Sequence, residues 1–289
     1  MEKFYRQQER LNNWLNKQRA PTILSSPIHE SPTCLKEEIH VDNKVLEVEK
    51  NEEVVDLEKS TPFREKLLVL EYVPNKSLFD KMHVPNNKSD ILTWSNRVNI
   101  ALDVARALDY LHSEADPPII HRDVKSSNIL LVDYDHAKLA DFGLCKLGQE
   151  NNHKTTTPSL SIKDSLGYID VTYMKTGQLS TKSDVYSYGI LLLELITGLK
   201  SMQGSISLAE LTEDDRREED VKILAENLLD PKLKKNVSLL QLKVLLDLAN
   251  AALLENPECR SNMNRIVDAI SSCIQPQSYI DHQLPLYNC

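Results

Sequence analysis

Glycine is distributed very unevenly along this 289-residue chain, and that distribution limits what the chain can fold into. The chain contains only seven glycines, and the first of them is Gly143. Glycine takes left-handed backbone conformations at little cost, and it lets a main chain approach a phosphate group closely. A glycine-rich phosphate-binding loop is therefore absent from everything that precedes Gly143.

The composition is that of a globular chain that can bury a core, with 27% charged and 41% hydrophobic residues. The formal net charge of −9 argues against a nucleic-acid-binding surface, which needs a basic patch. The longest apolar stretch, Ile190–Ile196, is interrupted by Glu194 and is too short to span a bilayer. The N-terminal residues are polar and lack the apolar segment of a signal peptide, so an intracellular chain is expected.

The first 66 residues differ in character from the rest. Residues 20–32 carry three prolines among serines and are typical of a linker, and residues 36–59 are rich in acids and lysines. That second segment is either a solvated helix or a disordered one. From about Phe63 the pattern becomes that of a packed domain, with a buried strand predicted at Leu67–Leu70.

The packed region is predicted to be mainly helical with small β pieces. A helical apolar stripe covers Trp94–His112, and Thr93 or Ser95 is the expected N-cap. Two further helices are predicted at Ser183–Thr197, ended by Gly198, and at Leu239–Leu254. Short apolar runs at 129–132 and 137–139 flank Asp133-Tyr134-Asp135, which predicts a β-hairpin.

A polar motif lies between the first of these helices and the hairpin. It is His121-Arg122-Asp123-Val124-Lys125-Ser126-Ser127-Asn128, and Asp141-Phe142-Gly143 follows the hairpin. This order resembles the catalytic loop and the metal-binding triplet of protein kinases. The alternative is a chance string of polar loop residues, but two motifs, a helix and a hairpin all agree with the kinase pattern.

Further stretches resemble one branch of that family, the plant receptor-like serine/threonine kinases related to Pelle. They are Leu68–Asn75, Gly167-Tyr168-Ile169-Asp170, Lys182–Gly189 and Asn256–Arg260. The resemblance covers Leu67 to Ile274. It implies an α+β, protein-kinase-like fold with a mainly helical large lobe and a truncated small lobe. The expected organisation is an N-terminal extension or small-lobe remnant at 1–66, a kinase-like domain at 67–274 and a tail at 275–289.

The resemblance also assigns the site residues and implies ATP and Mg²⁺ as cofactors. Asp123 would accept or orient the substrate hydroxyl proton, and Lys125 would lie beside the transferred phosphoryl group. Asn128 and Asp141 would supply the hard oxygen ligands that Mg²⁺ prefers. The implied catalytic set is therefore Asp123, Lys125, Asn128 and Asp141. The implied adenine-binding set is Leu70 as gatekeeper, the backbone of Glu71 and Val73, and Leu130 beneath the ring.

The resemblance assigns supporting roles to other residues. Asp184 would brace the catalytic loop from the central helix, although a solvent-facing helix cap is the alternative. Ser165 takes the place of a threonine that contacts the catalytic aspartate in the family. His121 and Phe142 would be packing residues. The segment Asp141–Thr172 would be the activation segment, and its hydroxyls are either phosphorylation sites or part of a soluble loop; they belong to Thr155, Thr156, Thr157, Ser159 and Ser161.

The chain also departs from the family pattern. A kinase small lobe supplies a glycine-rich loop, a lysine and a partner glutamate before the hinge. The nearest lysines are Lys44 and Lys50, without the family's local pattern, and the residues before Leu67 are too few for a complete small lobe. Thr172 replaces a glutamate that pairs with the arginine corresponding to Arg260, so Arg260 is expected to lack that partner and to meet water, a carbonyl or another acid such as Glu258. Lys76 replaces a glycine in the turn after the hinge.

Three hypotheses follow from these observations. The first is ATP-dependent phosphoryl transfer to serine or threonine hydroxyls of proteins, with impaired catalysis. The alternative is a non-catalytic pseudokinase or scaffold module in receptor-kinase signalling, and a truncated family member is a third reading. The expected partners are a protein substrate or a partner kinase, with no nucleic acid and no transmembrane segment. The expected location is the cytoplasm, with peripheral association at the inner face of the plasma membrane as an alternative.

Overall fold

A computed structural model describes residues 71–84, 91–147, 165–233 and 236–274 of the chain. The described residues from Val73 onward belong to one compact unit, whereas Glu71 and Tyr72 belong to a second unit. The linker, the acidic segment and the strand predicted at Leu67–Leu70 lie outside the described residues. Within the described ranges, no helix has the length and apolar character that a membrane crossing requires.

The described chain is dominated by α-helices, in agreement with the expected fold class. They are α1 (Leu78–His83), α2 (Trp94–Asp109), α3 (Val171–Thr176), α4 (Thr181–Thr197), α5 (Leu208–Leu211), α6 (Val221–Leu228), α7 (Leu239–Ala252) and α8 (Met263–Ile274).

Short strands pair two by two and antiparallel, and two of these pairs frame the polar motif. They are β1 (Ile119–Ile120) with β4 (Lys146–Leu147), β2 (Ile129–Leu131) with β3 (Ala137–Leu139), and β5 (Met202–Gln203) with β6 (Ile206–Ser207). In the β2–β3 hairpin Leu130 lies opposite Lys138. This confirms the predicted hairpin.

The ends of the helices follow the capping residues in the sequence. Thr93 is the N-cap of α2 and forms a reciprocal capping box with Asn96, as one of the two predicted caps. Helix α2 ends at Asp109, before the predicted end at His112, because Tyr110–Glu114 forms a π-helical turn. Gly198 ends α4 in a left-handed conformation with φ of 68°, as predicted.

Helix α4 forms the centre of the core. Its side chains from Ser183 to Thr197 are all buried, which explains why its apolar pattern has no polar face. Helix α7 packs on α4, and α8 packs on both α7 and α2. The β2–β3 hairpin lies against α2, and residues Ser126–Asn128 of the loop between β1 and β2 lie against α1.

Candidate active site

The loop that precedes β2 is held by a carboxylate of the central helix. Both oxygens of Asp184 accept main-chain N–H bonds, from His121 and from Arg122, each at 2.8 Å. The Asp184 Oδ2 also contacts His112 Nε2 at 2.9 Å. Asp184 is 1% exposed, so the predicted bracing role is confirmed and the solvent-facing alternative is wrong.

Asp123 is the centre of the site, and three side chains donate to its carboxylate. The Oδ1 atom accepts from Ser165 Oγ at 2.9 Å. The Oδ2 atom accepts from Asn128 Nδ2 at 2.8 Å and is paired with Lys125 Nζ at 2.8 Å. Lys125 Nζ also donates to Ser165 Oγ at 3.1 Å. The structure therefore brings together Asp123, Lys125 and Asn128, and it places Ser165 against the aspartate as expected.

Asn128 and Asp141 provide the oxygen atoms that suit a hard cation. The Asn128 amide nitrogen also donates to the Asp123 carbonyl at 2.9 Å, which leaves its Oδ1 as the atom for a cation. Asp141 follows β3 with an exposed side chain and a φ of 63°. These donors fit Mg²⁺, which usually takes one or two protein oxygens and completes its shell with water and phosphate. Among the described residues, no group of three or more His, Cys, Asp or Glu side chains is arranged for a metal.

His121 is a buried, neutral side chain that contacts the main chain of Asp123 and of Ala140. Its Nε2 contacts the Ala140 carbonyl at 3.1 Å, and its Nδ1 accepts the Asp123 N–H at 3.3 Å. Burial lowers the pKa of His121, which favours the neutral ring that this pair of contacts requires. The Phe142 ring meets His121 edge-on, with the ring centroids 5.0 Å apart. Both residues pack as predicted.

The candidate adenine-binding residues are only partly within the described structure. Leu70 lies outside the described residues, whereas Glu71, Val73 and Leu130 lie within them. Leu130 is half-buried. Its main chain forms an isolated antiparallel β-bridge with Ser77, which lies shortly after Val73. The structure therefore brings the chain after Val73 against strand β2.

Lys76 occupies the turn position that the family usually gives to glycine. Its φ is 65°, in the left-handed region. Its carbonyl accepts the Leu131 N–H at 3.0 Å, which ties the turn to β2. The backbone at Lys76 thus takes a left-handed conformation, which glycine adopts at little cost and lysine rarely adopts.

Several predicted residues lie outside the described structure. Residues 148–164 are among these, and they include all the candidate phosphorylation sites, which are Thr155, Thr156, Thr157, Ser159 and Ser161. The small-lobe candidates Lys44 and Lys50 also lie outside.

Arg260 has an acidic partner, and this partner is Asp170, which the sequence did not indicate. Its Nη1 and Nη2 atoms bind the two oxygens of Asp170 at 2.7 Å and 2.9 Å, and the two side chains are 1% and 2% exposed. Thr172, which replaces the expected glutamate, instead donates from Oγ1 to the Glu255 carbonyl at 2.8 Å. Asp170 reaches Arg260 because it lies at the N-cap of α3 with its carboxylate buried.

Sequence reasoning missed a second buried polar cluster next to the site. It joins Glu194 of α4 to His83, Ser126 and Tyr168. The available signal was a single carboxylate within the otherwise apolar run Ile190–Ile196.

Comparison with known proteins finds one matching family model and similar plant proteins. The family model described as "Protein kinase domain" matches residues 26–270. Calmodulin-binding receptor-like cytoplasmic kinase 2 of Arabidopsis thaliana is 39% identical over 210 residues, which cover 70% of this chain and 49% of that protein. Receptor-like protein kinase 5 of the same plant is 51% identical over 133 residues, covering 46% of this chain and 13% of the relative. The chain thus spans about half the length of the first relative and much less of the second.

Proposed function

This chain belongs to the protein kinase family and to its plant receptor-like branch, and from that membership we propose that it transfers the γ-phosphoryl group of ATP to serine or threonine hydroxyls of a protein. Kinases of this family generally use ATP and Mg²⁺. The observation that carries the proposal is the Asp123 carboxylate, which Asn128, Lys125 and Ser165 hold at 2.8 to 2.9 Å.

The arrangement supports a division of labour among these residues. Asp123 orients the attacking hydroxyl and accepts its proton, because a positioned carboxylate within hydrogen-bond reach is a general base. Lys125 is already oriented by Asp123 and Ser165, so its ammonium stabilises the charge that develops on the transferred group without having to reorganise. Asn128 and Asp141 are the residues that would hold Mg²⁺, which neutralises phosphate charge when it is bound.

The proposed nucleotide contacts complete the site. Main-chain atoms of Glu71 and Val73 would bind adenine, with Leu70 and Leu130 packing around the ring. The proposed catalytic domain spans residues 67–274, between an extension at 1–66 and a tail at 275–289.

We expect catalysis to be slow, because no glycine precedes Gly143 to form a loop over the phosphates. Losing one preorganised charge-stabilising group lowers the rate by about a hundred- to a thousandfold. The same observation favours a second candidate function, a non-catalytic pseudokinase or scaffold module that docks kinases or their substrates. Either function fits a protein partner in the cytoplasm or at the inner face of the plasma membrane, and the net charge of −9 fits neither DNA nor RNA.

The test is phosphoryl transfer by the purified full chain, measured with radiolabelled ATP, Mg²⁺ and a generic protein substrate. Asp123→Asn keeps the size of the side chain but removes its proton-accepting charge, and we expect it to lower the rate at least about a hundredfold. The matched control is Asp133→Asn, in the exposed turn of the hairpin, which should leave the rate unchanged.

Full activity in Asp123→Asn would contradict the proposed roles. No detectable transfer by the unmodified chain would contradict catalysis and favour the scaffold module.

A further inference from the structure

Helix α4 carries a carboxylate where an apolar side chain is expected. Glu194 is 0% exposed, and its neighbours along the helix are apolar. A buried carboxylate is strongly destabilising unless donors satisfy its oxygens. Its donors therefore indicate which parts of the fold it holds together.

Three donors meet at Glu194. The His83 Nε2 atom lies 2.6 Å from Oε1, and the Ser126 hydroxyl donates to the same oxygen at 3.0 Å. The Tyr168 hydroxyl donates to Oε2. Burial and the nearby Glu194 raise the pKa of Tyr168 well above its usual value, so the phenol keeps the proton that it donates.

The donors come from three separate segments of the molecule. His83 is the last residue of α1, Ser126 belongs to the catalytic loop, and Tyr168 lies at the end of the activation segment. The Tyr168 oxygen also accepts the Ser126 main-chain N–H at 3.2 Å. Glu194 thus joins the catalytic loop at Ser126, the end of the activation segment at Tyr168, and α1 at His83.

Both linked segments carry residues that contact Asp123. Ser126 directly follows Lys125, and Tyr168 lies three residues after Ser165. Lys125 and Ser165 are bonded to each other and to the Asp123 carboxylate. A shift of Ser126 relative to Tyr168 would therefore open the contacts that orient the catalytic carboxylate.

His83 is the donor to Glu194 that comes from α1, and it is itself buried. Its side chain is 4% exposed, and its ring packs on Phe79 with centroids 5.0 Å apart. Without it, the Glu194 Oε1 atom would retain only the Ser126 hydroxyl among the donors described, and the carboxylate would turn toward water or other donors.

We propose that His83 is a positioning residue for phosphoryl transfer, which acts through Glu194 to hold Ser126 of the catalytic loop against Tyr168 at the end of the activation segment. This inference rests on the proposed function for its catalytic consequence. The contacts of Glu194 with His83, Ser126 and Tyr168, which we call the clamp, are a local structural property. They can be measured without any enzymatic activity.

The test is amide hydrogen exchange of the full chain, read at Ser126, whose N–H is bonded to Tyr168. His83→Leu removes the donor and keeps an apolar side chain, so we expect exchange at Ser126 to rise at least about tenfold while the amides of α7 change little. His83→Gln supplies an amide N–H at a similar reach and should bring exchange back to within about threefold of the unmodified chain. The matched control is His136→Leu, which removes an exposed histidine–carboxylate pair and should leave Ser126 unchanged.

Unchanged exchange at Ser126 in His83→Leu, an equal rise throughout α7, or no rescue by His83→Gln would overturn the proposal. Where transfer activity is measurable, His83→Leu should lower kcat at least about tenfold and leave the KM for ATP unchanged, because positioning acts on the chemical step. A chain without activity that still shows the selective exchange change supports the clamp and contradicts the proposed function, so the two failures are distinguishable.

Discussion

Arg260 is 2% exposed, and several hydrogen-bond acceptors hold its guanidinium. Besides Asp170, it donates to the carbonyls of Leu254 and Lys182 at 2.8 Å and 3.0 Å. Thr172 has no carboxylate, but the positive charge of Arg260 is balanced by Asp170, two positions earlier in the chain. A buried ion pair of this kind contributes most visibly when one partner is removed, because the other is then left unpaired.

We therefore expect Asp170→Ala to destabilise the fold strongly. The change leaves a buried guanidinium without its bidentate partner, which lowers the free energy of unfolding by about 3–5 kcal/mol. For a domain of this size that corresponds to a fall of about 10 °C in Tm, measured by calorimetry.

Two variants separate the ion pair from other effects. Asp220→Ala removes a similar aspartate N-cap from α6 without a buried partner and should lower the free energy of unfolding by only about 1 kcal/mol. Thr172→Glu should give no gain in Tm, since Arg260 is already paired and the Thr172 bond to Glu255 is lost. Equal losses in the two aspartate variants would refute the role given to the pair.

At the scale of the elements, the helix ends are set by local chemistry, but their sensitivity depends on what lies beside them. Gly177 and Gly198 end α3 and α4 with φ values of 70° and 68°. A Cβ atom at Gly177 would meet nothing within 4 Å, whereas one at Gly198 would collide with the carboxylate of Asp230. That carboxylate pairs with the buried Arg97 at 2.6 Å.

This difference predicts unequal effects for the same substitution. Gly177→Ala adds only backbone strain and should lower the free energy of unfolding by about 1 kcal/mol. Gly198→Ala adds a collision next to the Arg97–Asp230 pair and should lower it by about 3 kcal/mol. Urea denaturation of the two variants checks this order. An equal loss in the free energy of unfolding would show that the Asp230 side chain moves aside without cost.

At the scale of the whole molecule, the sequence before Gly143 holds no glycine from which a loop over the phosphates could be built. Under the proposed function, nucleotide affinity would depend on a cation bound by Asn128 and Asp141, because the phosphate contacts of such a loop would be missing. Each missing contact worth 1.4 kcal/mol weakens binding by about tenfold.

We expect ATP to bind this chain weakly and only with Mg²⁺. Calorimetric titration should give a Kd far above the micromolar range, and a chelator should weaken binding further. Asp141→Asn should reduce the effect of Mg²⁺, because the side chain loses its charge. Tight binding that is equal with and without Mg²⁺ would contradict this expectation.

Much of the architecture could be predicted because it depends on neighbours along the chain. Thr93 caps α2, Gly198 ends α4, and the polar motif lies between a helix and a hairpin. Asp184 could be assigned its place at the loop because the family motif carries the spacing. The helix predicted to reach His112 ended at Asp109, since the wider turn at Tyr110–Glu114 leaves no distinct mark in the sequence.

The sequence by itself determined the periodic helices, the hairpin and the lack of an early glycine-rich loop, and its resemblance to protein kinases implied the candidate catalytic set. The helices and the hairpin depend on residue type and short spacing, which a chain carries before it folds. Only the tertiary structure decided that Asp170 pairs with Arg260 and that His83 meets Glu194, at sequence separations of 90 and 111 residues. Such partners are chosen by packing, because a buried charge binds whichever donor or acceptor the fold brings within about 3 Å.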